Sequence, residues 1–280
     1  MPHHTHLRKP KTLIEGIESK IEATKSTLRV MTYNIYKGAV GREQGLLTVV
    51  QEVQPDLLFL QEVGDEASIR LLAKALDMHH TFAKSAYGAK NLALLSRYPL
   101  LNSDAYHAFP LFHSLLLSTI LLPTGETLNL YGVHVGVLYD WWRTFEIQAI
   151  VRRIQQREIL HPSPYALMAG DFNAILPRDR VNLRIGTRLH KVILFLEYVV
   201  ATRLAPRLLA RHQWIDGYRY CHPLQDGFTF PSTAPAVRLD HIFATPSLVR
   251  RLRHCAVVTE PEITRTVSDH LPLVAEFEVR

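Results

Sequence analysis

Residues 165–174 read Tyr-Ala-Leu-Met-Ala-Gly-Asp-Phe-Asn-Ala, and the rest of the chain is organised around them. Tyr165 to Ala169 are small or apolar and suit a buried strand, which Gly170 is expected to end where the backbone turns or comes close to something. Asp171 and Asn173 then stand at the carboxyl end of that strand. Two apart in a strand-like stretch, they face the same way and reach one ligand together. The plainer reading is an Asx turn, because Asp and Asn are common after strands for local capping. Recurrence of the pattern elsewhere shifts the balance.

Leu28 to Ile35 is a second apolar strand and carries Asn34 near its end. Leu57 to Leu60 runs into Gln61-Glu62. Thr127 to His134 ends in His134, and the intervening Pro123-Thr124-Gly125-Glu126 makes it the second arm of a hairpin that begins with Leu115 to Leu122. Val237 to Ala244 presents Asp240 and His241, and Ser268-Asp269-His270 precedes a final alternating strand, Leu271 to Val279. Asn91 to Ser96 is a further strand. Helical spacing falls at residues 12–24, 46–53, 67–76 and 141–157, with Asp140 able to cap the last. Trp141 and Trp142 at its start read chiefly as packing, with substrate contact as the minor alternative.

A length of 280 residues with 47% hydrophobic and 21% charged content describes a chain that folds by burial. Residues 1–27 read as a polar leader and short helix, and 28–280 as one domain. Cys221 and Cys255 read as reduced thiols, and no apolar run approaches the roughly 20 residues of a membrane span, so a cytoplasmic protein is expected. The net charge of +6 has an address: Arg178 to Arg211 contains eight basic and two acidic residues, and the remainder balances. This insert, about 177–212, places Arg184, Arg188 and Lys191, and then Arg203, Arg207 and Arg211, at helical spacing around a very apolar middle, with Pro206 expected to kink or divide it. It is either a helical pair with its arginines in water or a surface for polyanions, nucleic acid or anionic lipid; Arg184, Arg188 and Lys191 are its candidate substrate-binding residues.

Asn34, Glu62, His134, Asp171, Asn173, Asp240, Asp269 and His270 are polar groups at the ends of apolar runs. Each needs hydration or a partner, so one shared site is the economical arrangement. Oxygen ligands without a nearby cysteine favour a hard cation, Mg²⁺ or Mn²⁺, with Glu62 as anchor and Asn34 and Asp269 beside it. A Gly-rich phosphate loop and a Gly-x-Ser-x-Gly elbow are both missing, which leaves metal-assisted hydrolysis.

In order along the chain, Tyr33-Asn34-Ile35, Gln61-Glu62-Val63, Tyr131-Gly132-Val133-His134, Gly170-Asp171-Phe172-Asn173-Ala174, Arg238-Leu239-Asp240-His241-Ile242 and Ser268-Asp269-His270-Leu271-Pro272-Leu273 resemble the motifs of the endonuclease/exonuclease/phosphatase (DNase I-like) superfamily. The resemblance implies a four-layer α/β sandwich, two mixed β-sheets face to face with flanking helices, and a divalent-metal phosphoesterase. It implies Glu62, Asn34 and Asp269 at the metal, Asp171 as the residue that orients or deprotonates water, and Asn173 as its support. It implies His134 and His270 at the phosphate oxygens, with Asp240 holding His270. Departures bear on substrate. The second Glu that pairs with the first catalytic His in secreted DNase I-type enzymes has no counterpart between Glu66 and Asn91, and Gly64 stands where they place a groove-reading Arg. His134 replaces the Tyr usual in abasic-site endonucleases. Asn91 and Asp216 read mainly as scaffold. A nuclease is the leading expectation, a membrane-associated lipid phosphodiesterase of the sphingomyelinase type the alternative, and a non-catalytic binding module the third; no protein partner is inferred.

Overall fold

Strands that are apolar on both faces need a layer on each side, and the chain supplies four layers. The computed structural model describes residues 27–86, 90–137, 140–182 and 204–279. The expected N-terminal helix at 12–24 and Arg184, Arg188 and Lys191 lie outside the described residues. Along the chain come β1 (Thr27–Asn34), α1 (Glu43–Val53), β2 (Leu57–Val63), α2 (Glu66–Leu76), β3 (His79–Ala83), β4 (Asn91–Ser96) and β5 (Asp104–Tyr106). The hairpin β6 (Leu115–Leu121) and β7 (Thr127–His134) is followed by α3 (Asp140–Leu160), β8 (Tyr165–Asp171), α4 (Leu204–Arg211), β9 (Ile215–Asp216) and α5 (Gly217–Cys221). The chain closes with β10 (Asp240–Ala244), α6 (Pro246–Val249), β11 (Leu252–Val257), α7 (Thr264–Val267) and β12 (Leu273–Glu278).

One sheet has the order β11-β12-β1-β2-β4-β3 and the other β5-β6-β7-β8-β10-β9. Their inner faces share a core in which Leu28, Val30 and Phe59 meet Leu116, Leu130 and Leu167. The alternate residues point outward: Met31, Tyr33, Leu58 and Leu60 pack under α1 and α2, and Leu117, Tyr131, Val133 and Met168 under α3. That double burial is why these strands lack the apolar/polar alternation of a half-exposed sheet.

The topology delivers polar residues to one end. β1 and β2 are parallel, with Asn34 opposite Gln61, so both strands finish at the same edge. β7 and β8 are likewise parallel, with His134 opposite Asp171. β10 runs antiparallel to β8 and begins there, Asp240 opposite Asp171. β12 runs antiparallel to β1, with Leu273 opposite Thr32, so the preceding Asp269-His270 enters from the same side.

Two local expectations are corrected. Gly170 does not end its strand, because β8 continues through Asp171. Its φ of +153° and the approach of the Val133 carbonyl, 1.9 Å from where a Cβ would stand, make it the place where β7 and β8 draw close. Asp240 opens its strand rather than lying within it, and Val237 instead forms a bridge with Phe230.

Candidate active site

Asp171 is the hub. Its carboxylate is buried at the end of β8, and Asn34 Nδ2 donates to Asp171 Oδ2 at 3.0 Å across the gap between the sheets. The Asn173 backbone N–H donates to Asp171 Oδ1 at 2.8 Å, so the Asx turn is real and part of the site. Asn173 is not strand-like: it lies in the left-handed region at φ 46°, and Nδ2 donates to the Val135 carbonyl at 2.9 Å and approaches Asp171 Oδ2 at 3.5 Å. The two side chains converge because the chain turns, not because a strand continues.

Two imidazoles complete the ring around Asp171. His134 Nε2 lies 3.6 Å and His270 Nε2 3.8 Å from Asp171 Oδ2. His270 Nδ1 donates to Asp240 Oδ2 at 2.8 Å, which fixes its orientation. Ser268 ties the end of β1 to the segment that leads into β12 of the same sheet: its hydroxyl donates to the Asn34 carbonyl at 2.6 Å and accepts from the His270 N–H at 3.1 Å. Burial pushes the Asp171 carboxyl upward, offset in part by His270 and reinforced by Asp240. Burial would depress His270, but Asp240 and Asp171 outweigh it and raise that imidazole. Burial, followed by the charges of His113, Lys90 and His270, drives His134 well below its ordinary value. Near neutral pH the site therefore holds one imidazolium and one neutral imidazole.

Glu62 sits at the rim with its side chain 12% exposed. Its φ of 56° and a register shift between Leu60 and Val63 turn it out of the β2 alternation, a conformation non-glycine residues adopt at a cost of about 1–3 kcal/mol. Asn91 secures this bulge by donating to the carbonyls of Val63 (3.0 Å) and Gly64 (2.8 Å). The Lys37 N–H (3.2 Å) and Lys90 Nζ (3.3 Å) bond the Glu62 carboxylate. Burial raises Asp269, His270 opposes that, and the nearby Glu62 charge adds to it. Two neighbouring carboxylates at the rim suit a hard cation. A second grouping, Asp171, Asp240 and His270, brings one ligand atom each within 4.8 Å of the others. An imidazolium has no lone pair for a metal, so that grouping serves better as a hydrogen-bonded relay. Asn34, expected as a metal ligand, accepts from the Tyr36 N–H through Oδ1 at 3.0 Å, which leaves that oxygen a second lone pair, while Nδ2 holds Asp171.

Sequence reasoning missed His113. Its ring stacks on His134 with centroids 4.3 Å apart and planes at 24°, and Ser85 Oγ lies 3.4 Å from its Nδ1. Burial leads the effects that lower it to about 4, so it too is neutral. A lone His before an apolar strand gives no signal. Among the described residues, His134 Nδ1 is buried with no hydrogen-bond partner. Asp216, by contrast, is scaffold: it and Asp179 flank the fully buried Arg238.

A family model described as endonuclease/exonuclease/phosphatase matches residues 31–270. The chain belongs to that family. Members are typically divalent-metal-dependent phosphoesterases, and the oxygen-rich rim of this chain at Glu62 and Asp269 suits such a cation. No curated protein matches the chain significantly. Among solved structures, an AP endonuclease from Archaeoglobus fulgidus superposes with a TM-score of 0.70 at 22% identity, covering 90% of this chain and 100% of the other. A variant of the 3′ phosphatase NExo from Neisseria, bound to a product DNA hairpin, gives 0.68 at 18%, covering 90% and 99%. A humanized D. rerio TDP2 gives 0.63 at 18%, covering 90% and 99%. At these identities the likeness establishes a shared fold. Among the described residues no helix is long and apolar enough to cross a membrane.

Proposed function

We propose that this family member is a Mg²⁺- or Mn²⁺-dependent phosphodiester hydrolase acting on nucleic acid. The observation that carries the reading is the convergence on Asp171 of Asn34, Asn173, His134 and the Asp240-held His270, from both sheets. In-line attack on a phosphodiester needs a base, donors for the equatorial oxygens and compensation of charge at the phosphate. Asp171, made more basic by burial, takes a proton from water. Asn173 holds the turn that aims the carboxylate. His270 and His134 donate N–H groups to the non-bridging oxygens, and Asp240 keeps His270 oriented. Glu62 and Asp269, with Asn34 beside them, would hold the cation, which when bound neutralises a phosphate oxygen.

Nucleic acid is favoured over lipid because similar folds include an AP endonuclease and a phosphatase bound to a DNA product. The chain is read as one domain from residue 28 with a basic insert, whose Arg184, Arg188 and Lys191 follow the substrate backbone, and as cytoplasmic. The test is a divalent-metal activity panel spanning single-stranded, duplex, abasic and RNA oligonucleotides, sphingomyelin and phosphatidylglycerol, with Asp171→Asn as control. Cleavage of an oligonucleotide that Asp171→Asn abolishes is expected. Intact oligonucleotides alongside cleaved lipid would overturn the reading.

A further inference from the structure

Three aromatic side chains stand exposed beside the active site and nothing in the mechanism uses them. Phe109 is 85%, Trp141 56% and Phe145 52% exposed, unusual for rings of this size. They form a braced chain through Trp142: Phe109 and Trp142 meet edge to face at 5.6 Å, Trp142 and Trp141 at 5.6 Å, and Trp141 and Phe145 at 6.2 Å, with interplanar angles of 78–85°. Such mutual bracing holds ring faces in place without burying them.

The ridge is tied to the site from two directions. Phe109 lies four residues from His113, which stacks on His134, so the chain between them spans at most about 14 Å. From the other side, the buried Glu146, one residue after Phe145, accepts from the Phe112 N–H at 2.6 Å and from the Gly136 N–H at 3.0 Å, two residues beyond His134. Charge completes the picture. Lys84 is exposed, and its carbonyl accepts from Ser114 Oγ at 2.5 Å beside His113. Lys90 reaches Glu62 on the same side. Cations near the phosphate site, giving way to exposed aromatic rings within about four stacked nucleotides at roughly 3.4 Å each, match a polyanion that carries flat apolar groups.

We infer that Phe109, Trp141 and Phe145 form a stacking platform for unpaired bases next to the scissile phosphodiester, making single-stranded or locally opened nucleic acid the preferred substrate. The inference rests on the nuclease reading above. Bases paired inside a duplex keep their faces covered by neighbours, so only splayed or single-stranded bases can use the ridge.

The experiment compares metal-free binding of a 12-nucleotide single-stranded DNA with that of a 12-unit chain of the same phosphodiester backbone in which every nucleoside is an abasic tetrahydrofuran. Phe109→Ala and Trp141→Ala should each weaken the base-bearing strand by roughly 5- to 150-fold and leave the abasic chain within about twofold. Trp141→Tyr, which keeps a ring, should restore most of the loss. Equal losses on both chains would mean the rings act only through folding and would overturn the proposal. So would unchanged oligonucleotide binding with lost binding to phosphatidylglycerol vesicles, which would make the ridge a lipid-facing surface. Wild-type protein that cleaves oligonucleotides while the two chains respond alike removes the platform and leaves the nuclease reading standing. Wild-type protein that neither binds nor cleaves any oligonucleotide removes both.

Discussion

Replacing Arg238 by Met should destabilise the protein by about 3–5 kcal/mol, the range for removing one partner of a buried ion pair. Its guanidinium is wholly buried and donates to Asp179 at 2.8 and 3.1 Å and to Asp216 at 2.5 and 2.9 Å. The Met chain fills most of the volume, so the cost falls on the carboxylates. Asp179 keeps Arg219 at 2.6 Å, whereas Asp216 loses its ion-pair partner. In the wild type, burial would raise Asp216 but Arg238 more than reverses this and holds it low. A carboxyl with a depressed folded value contributes stability above its unfolded value of about 3.9 that is lost on acidification. In Arg238→Met the carboxyl should instead be raised and take up its proton more readily in the folded state. The gap between the two proteins should therefore be widest near pH 7 and shrink toward pH 4. Urea unfolding at pH 7, 5.5 and 4.5 reads this directly, and adding Asp216→Asn should recover part of the loss at pH 7. A gap under 1 kcal/mol, or one that does not change with pH, would refute the reasoning.

Gly170→Ala should cost about 2–5 kcal/mol from positive-φ strain and overpacking and should lower turnover even in the folded fraction, because a Cβ would meet the Val133 carbonyl at 1.9 Å and push β7 from β8; wild-type stability by urea titration would contradict it. Glu146 is pushed up to about 7, chiefly by burial and against the pull of its two backbone donors. Its raised folded value means a contribution present below about pH 4.5 and lost as pH rises through 7, so wild type should lose up to about 3 kcal/mol relative to Glu146→Gln between pH 4.5 and 8. Parallel stability curves for the two proteins would rule that out. Mg²⁺ or Mn²⁺ at 100 times its Kd should stabilise the wild type by about 2.7 kcal/mol in thermal unfolding, and Glu62→Gln should lose most of this; an undiminished shift would move the cation away from Glu62.

What could be read from the sequence follows from burial. The central strands are apolar on both faces, so their runs and polar terminal residues stand out, and Asn34, His134, Asp171 and Asp240 are legible in the chain itself. The strands passed over, β3, β5, β9 and β11, are the edge strands of the two sheets, where exposed residues such as His79, Asp104 and Arg253 break the pattern. Glu62 was legible as a residue but not as a conformation, since its left-handed backbone depends on the bulge that Asn91 secures. His113 was illegible because its role comes from stacking across a loop. Asn173 illustrates a subtler limit: strand periodicity placed it beside Asp171 for the wrong geometric reason, and a turn did the work.

The bond from Asn34 to Asp171 joins groups 137 positions apart, one from each sheet. The constellation thus acts as a vernier on the sandwich, registering any slippage of one layer over the other. A void opened deep between the layers, at Phe59 or Leu130, would be felt as slowed chemistry well before the molecule melts.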